Sequence, residues 1–147
     1  MYEVILHNCR RNLYGIAGML ELTKEQTQRL VNIIEDKQGC ICNVSNSMRT
    51  VWITSDDGEN ELRVSFLCNF ALVISRVRFS IKRHGTMSLL LDALKEICED
   101  YGVHRIVMQS VLTREMEVFC HKAGFRADPN ATMEVDGILT GDYKLDF

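Results

Sequence analysis

The chain has 147 residues, of which 46% are apolar and 25% charged, with a net charge of −3. This length allows one domain with a real core, and the apolar and charged fractions are ordinary for a globular protein. The mildly acidic balance carries no general nucleic-acid or membrane-surface footprint, and no apolar run is long enough to span a bilayer.

The first residues, MYEVILHNCRRN, lack the order of a secretory signal. The six cysteines are therefore expected as reduced thiols in a cytoplasmic protein rather than as a disulfide framework. Pro129 is the single proline, and no repeat, linker or low-complexity tract interrupts the chain, so residues 1–147 are expected to form a single domain.

Tyr2–Leu6 alternates weakly and is expected as a strand, followed by a helix over Arg10–Leu22 that Gly15 and Gly18 weaken. Thr23–Lys37 is a stronger helix. Thr23 and Gln26 form a capping box, Leu30, Val31, Ile33 and Ile34 make an apolar face, and Gln38-Gly39 ends it. Val51–Thr54 and Leu62–Leu67 are expected strands joined through Asp57-Gly58, a strong hairpin signal. Phe70–Ile81 is the next strand. Ser88–Tyr101 is a helix with Leu90, Leu91, Leu94, Ile97 and Cys98 on one face and Gly102 just past its end.

His104–Val111 reads as a strand buried on both faces. Thr113–Ala123 is a helix with Thr113 as N-cap and Gly124 at its stop, and Met133–Val135 and Tyr143–Phe147 are terminal strands. A crossover through Ser88–Tyr101 makes its flanking strands parallel neighbours. The result is a mixed α/β (α+β) fold, with helices on both faces of a central sheet.

The most informative stretch is Val73–Phe125. A strand there feeds the basic loop Lys82-Arg83-His84-Gly85-Thr86-Met87, which opens a helix. Helix N-termini carry unpaired N–H groups and partial positive charge, so such a loop suits an anion. Gly85 supplies an open backbone, and Lys82 or Arg83 supplies charge. A basic strand-to-helix turn without any ligand has the same local features.

This loop resembles the R/Q-x-x-G-x-G/A loop of the GNAT superfamily of acyltransferases, with Lys82 at the Arg/Gln, Gly85 at the central Gly and Met87 at the final small residue, a departure. Thr113-x-x-Met116-x-x-Phe119-Cys120-x-Lys122-x-Gly124-Phe125 is similar to that family's N-x-x-A-x-x-F/L-Y-x-K-x-G-F segment. The resemblance covers the C-terminal half closely and the N-terminal half only in element order. It implies a mostly antiparallel central sheet and an acetyl-CoA site. Val77 and Phe79 would lend main-chain groups to the pantetheine arm, and Lys82, Arg83, His84, Gly85, Thr86, Met87, Ser88 and Thr113 would hold the cofactor. Cys120 stands where the family often has a Tyr as general acid. It is either a weak acid in that role or a buried thiol packed as a small hydrophobe. Ser110 is a second possible donor and Glu61 a candidate base.

Arg76 and Arg78 alternate on one strand, where they either hold an acidic acceptor group or pair with a neighbouring carboxylate such as Glu61. Cys40-x-Cys42 lacks the second ligand pair a structural zinc usually needs, so no metal is expected. The reading is acetyl transfer from acetyl-CoA to an amine of unknown identity, with no nucleic-acid or membrane partner and a homodimer left open. Two alternatives are an acyl-CoA-binding module without catalysis and an unrelated α/β interaction protein.

Overall fold

The computed structural model describes residues 20–147. The expected strand Tyr2–Leu6 and nearly all of the expected helix Arg10–Leu22 lie outside them, and residues 20–22 are not helical. The first described helix, α1, spans Lys24–Gln38. Its capping box is formed: the Gln26 N–H donates to the Thr23 hydroxyl at 3.1 Å, and the Thr23 N–H donates to Gln26 Oε1 at 2.9 Å. Thr27, Leu30, Val31, Ile34 and Gln38 are buried at helical spacing, and Gly39 ends the helix in the left-handed region.

Seven strands follow, with two more helices among them. They are β1 (Cys42–Ser47), β2 (Thr50–Ser55), β3 (Glu61–Leu67), β4 (Ala71–Arg78), β5 (Arg105–Val111), β6 (Arg126–Val135) and β7 (Ile138–Asp146). Helix α2 (Thr86–Asp100) links β4 to β5, and α3 (Arg114–Ala123) links β5 to β6. The sheet order is β1-β2-β3-β4-β5-β7-β6. Only β4 and β5 pair in parallel, as expected of strands joined by a helical crossover. The fold is a mixed α/β arrangement on a mostly antiparallel seven-stranded sheet.

The largest fully buried side chains lie on β2, β3, β4, β5, β7 and the two longer helices, Ile53 being the one on β2. They include Leu30, Ile34, Leu62, Leu72, Ile74, Leu90, Leu94, Ile97, Ile106, Met108 and Tyr143. Four successive residues of β4, Ala71–Ile74, are all buried, so the sheet is covered on both faces at that point. Phe66 meets Tyr101 edge-to-face at 5.3 Å, which ties β3 to the end of α2.

Three departures from the expected elements have local causes. Strand β1 carries no alternating pattern because, past Cys42, every residue is exposed. β4 stops at Arg78 rather than Ile81, because side chains from elsewhere capture the Ser80 and Ile81 backbone. β6 and β7 run much longer than expected, joined by a tight turn at Asp136-Gly137. No helix among the described residues is long and apolar enough to cross a membrane.

One glycine in this region has a steric reason. Gly141 on β7 has φ 121°, and a Cβ there would lie 2.0 Å from the Ala131 carbonyl oxygen of β6. Gly141→Ala should therefore cost at least about 2 kcal/mol, or a fall of roughly 4–8 °C in melting temperature. Gly58→Ala is the control for the clash: at φ 74° it carries the positive-φ cost, but its added Cβ meets nothing within 4 Å, so it should cost less. Parallel thermal melts check the contrast.

Candidate functional site

The β4–β5 ladder is short. It joins Leu72 to Ile106, Val73 to Val107 and Ile74 to Met108. Both strands then continue without each other, β4 to Arg78 and β5 to Val111. A bulge sits on each strand where they part. Arg63 and Val64 of β3 oppose Arg76 and Ile74, which leaves Ser75 as the extra residue on β4. The β5–β7 register shifts between Met108 and Val111. Within that shift Ser110 has φ 55° and donates its N–H to Asp142 Oδ1 at 3.1 Å. Bulges bend a strand and sharpen its twist, so the two together lead β4 and β5 apart.

The gap between them opens into a cleft of about 1280 Å³. Its wall brings together Glu61, Val77, Phe79, Lys82, Arg83, His84, Gly85, Thr86, Met87, Ser88, Ser110 and Thr113. Every sequence-derived candidate except Cys120 is therefore at one place, although the contributing elements are far apart in the chain.

The loop at one end of the cleft leads into an open helix start. Gly85 is the N-cap of α2 at φ 78°, no side chain caps the helix, and no acid lies in its first turn. The N–H groups of Thr86, Met87 and Ser88 are thus the unpaired donors of a helix start, and the helix dipole adds to them. The glycine is needed for its dihedral angle, since a Cβ at Gly85 would meet no protein atom within 4 Å. Lys82, Arg83 and His84 are exposed around it. Lys82 reaches Glu115 of α3 at 3.6 Å, an exposed pair of small energetic weight. Met87 is half-buried and packs against the core, so its bulk is directed largely inward.

Two buried amides that sequence reasoning missed hold this loop in shape. Gln38 at the end of α1 donates from Nε2 to Thr86 Oγ1 at 2.8 Å and to the Ile81 carbonyl at 3.1 Å, and its Oε1 accepts from the Ile81 N–H at 2.8 Å. Asn60 Oδ1 accepts the Ser80 N–H at 3.0 Å. Gln38 is 5% exposed and Asn60 1%. Removing either would strand buried polar groups, at about 1–3 kcal/mol each. The only local signal was the polarity of two residues beside turns, where Gln and Asn are common.

The three candidate catalytic side chains differ. Cys120 is fully buried in the core and does not line the cleft, although Met116, Phe119 and Lys122 of the same helix do. Burial pushes its thiol up to about 12. This is the packing of a small hydrophobe, and it does not aim a proton donor into the cleft. Ser110 is exposed on the cleft wall. Glu61 lines the cleft with both oxygens engaged: Oε2 accepts Trp52 Nε1–H at 2.9 Å, and Oε1 pairs with Arg76 Nε at 2.7 Å. Thr113 caps α3, its hydroxyl oxygen accepting the Met116 N–H at 3.2 Å.

Cys40 and Cys42 place their sulfurs 3.8 Å apart. Among the described residues no group of three or more His, Cys, Asp or Glu side chains could hold a metal ion.

No protein-family model and no curated protein sequence matches the chain. Solved structures do. The IAA acetyltransferase from Bacillus cereus ATCC 14579 superposes with a TM-score of 0.50 at 13% identity, over 67% of this chain and 79% of that one. A candidate acetyltransferase from Agrobacterium tumefaciens superposes with a TM-score of 0.51 at 11% identity, over 88% of this chain and 97% of that one. A GNAT family acetyltransferase from Elizabethkingia anophelis, solved with acetyl-CoA bound, aligns at 0.47 with 10% identity, over 85% of this chain and 84% of that one. At these identities the likeness establishes the fold alone, the one shared with the two acetyltransferases that superpose at 0.50 and 0.51.

Cys120→Ala should cost roughly 0.5–1.5 kcal/mol, as for loss of one buried methylene-sized group, and leave ligand binding unchanged. Its titration gives a second test. The thiols of Cys98 and Cys120 are both held near 12 by burial. An unfolded thiol ionises near its ordinary value of about 8.5, so the stability these groups contribute is complete below that value and is lost as pH rises toward 12. The urea midpoint should fall between pH 8 and pH 10.5, and Cys120→Ala should shrink that fall. An undiminished fall in the variant would place the titration elsewhere.

Proposed function

We propose that the chain is an N-acetyltransferase that moves an acetyl group from acetyl-CoA to an amine. The observation that carries this reading is a single one: the stretch of β4 that β5 leaves unpaired runs into an uncapped helix N-terminus across a basic glycine loop. An extended amide-bearing arm can lie along the open strand edge while its pyrophosphate meets the N–H groups of Thr86, Met87 and Ser88. The cleft, at about 1280 Å³, has room for a ligand of that size.

When bound, acetyl-CoA supplies an activated thioester carbonyl. The amine nitrogen attacks that carbon, the C–N bond forms, the C–S bond breaks, and sulfur leaves with the electron pair. The amine proton goes to a base or water, and the thiolate takes a proton. The chain contributes position first. Backbone N–H groups of β4 beyond Ile74 that β5 does not use can polarise the carbonyl, and Gln38 and Asn60 keep the phosphate seat at a fixed distance from that strand. Fixing two substrates in contact is itself worth several kcal/mol of barrier, and preorganised donors at the oxyanion add to it.

A second reading has its own support. Cys120 is out of the cleft and Glu61 is tied to Arg76 and Trp52. A non-catalytic acyl-CoA-binding module would need neither as acid nor as base.

Acetyl-CoA at a hundred times its Kd should stabilise the protein by about 2.7 kcal/mol, raising the melting temperature by roughly 5–10 °C. Gly85→Asp should abolish that rise while circular dichroism stays native, because a carboxylate would occupy the anion seat. No shift and no heat of binding at millimolar acetyl-CoA would overturn the proposal. A shift without CoA thiol release across a broad amine panel would move the assignment to the binding module.

A further inference from the structure

The cleft has a second charged wall, away from the phosphate loop. Arg63 on β3 and Arg76 and Arg78 on β4 line it with Glu61. Arg63 stands directly opposite Arg76 across the two strands, and Glu61 opposite Arg78. Like charges paired across strands destabilise a sheet unless something compensates them. Here three guanidinium groups face one carboxylate, in a chain whose net charge is −3, so the wall runs against the balance of the whole molecule.

The internal partners account for only part of that charge. Arg76 takes Glu61 at 2.7 Å, and Arg78 donates to the Gly58 carbonyl. Arg63 lies over the Trp52 ring at 3.9 Å, and its buried Nε has no hydrogen-bond partner among the described residues. Among the described residues no ion pair neutralises it. Stacking fixes the plane of the guanidinium, which is the preorganisation that planar, two-pronged recognition of a carboxylate uses.

The location completes the argument. Arg76 and Arg78 flank Val77, in the stretch of β4 that β5 has left. A group held by Arg63 and Arg76 would therefore sit beside the place where the acyl group is delivered.

We infer that the acceptor is an amine that also carries a carboxylate, with Arg63 and Arg76 binding the carboxylate. This rests on the acetyl-transfer reading above and names its substrate class. Free amino acids and acidic peptide N-termini share that chemistry, and matched pairs separate them. One pair is glutamine against its α-amide. The other is a peptide amide beginning with Glu against the same peptide beginning with Gln.

The experiment measures CoA thiol release with each amine, alongside the thermal shift given by acetyl-CoA alone. At least one carboxylate-bearing partner should exceed its neutral match by tenfold or more in kcat/KM. A preference in the first pair only assigns free amino acids, and one in the second only assigns acidic N-termini; either supports the inference. Arg63→Gln and Arg76→Gln should each raise the acceptor KM about ten- to a hundredfold, the range for losing a hydrogen bond to a charged group, with the acetyl-CoA KM within twofold. Arg63→Lys and Arg76→Lys, which keep the charge, should recover part of the loss. Equal rates for both members of both pairs would overturn the inference, as would an acetyl-CoA shift with no release from any of the four amines. Absence of the acetyl-CoA shift itself would instead strike the underlying reading of the site.

Discussion

The structure turns on the interruption of one β-ladder. Backbone N–H and C=O groups must find partners, and β4 and β5 supply each other only as far as Ile74 and Met108. Beyond that point each strand keeps its outer neighbour, β3 on one side and β7 on the other, and turns its inner edge to the cleft. Two bulges make the parting stable rather than accidental. Ser75 is the extra residue on β4, and Ser110 takes the positive φ on β5 that the Asp142 carboxylate holds by its N–H. The buried segment Ala71–Ile74 below the fork keeps the rest of the sheet rigid.

The second constraint is how the Ser80–Thr86 loop is held relative to that open edge. Loops between a strand and a helix are ordinarily free to shift, but this one is stitched at three points by buried amides. Gln38 bonds both backbone groups of Ile81 and the Thr86 hydroxyl, and Asn60 takes the Ser80 N–H. The exposed cations Lys82 and Arg83 can move on this fixed base, because electrostatic attraction tolerates a range of positions, whereas backbone N–H donors do not.

How much of this was legible in the sequence depends on the range of the interaction. Helix α2, its glycine start and the parallel strands around it follow from local pattern: apolar spacing from Leu90 to Cys98, Gly85 before it and Gly102 after it. The Lys82–Met87 loop and the Thr113–Phe125 segment were likewise local. Strand β1 was not legible, since Asn43–Ser47 are exposed and, Val44 apart, polar, and their backbone pairs with β2. Gln38 read as a helix stop and Asn60 as a turn residue. Their function lies in bonds to residues 43, 48 and 20 positions away, which no periodicity reports. Cys120 could be read either as an acid or as core; the fold places its side chain on the inward face of α3. The Arg76–Glu61 pair was foreseeable as one of two options, but the unpaired Arg63 beside it was not, because only the register of β3 against β4 sets the two arginines opposite each other.

Amide hydrogen exchange with and without acetyl-CoA tests the central claim most directly, because it reads the backbone donors themselves. Added acetyl-CoA should slow exchange at the β4 amides beyond Ile74 and at Thr86, Met87 and Ser88, and leave β1, β2 and β6 unchanged. Protection confined to other elements, or unchanged exchange at both segments with the ligand bound, would contradict the account.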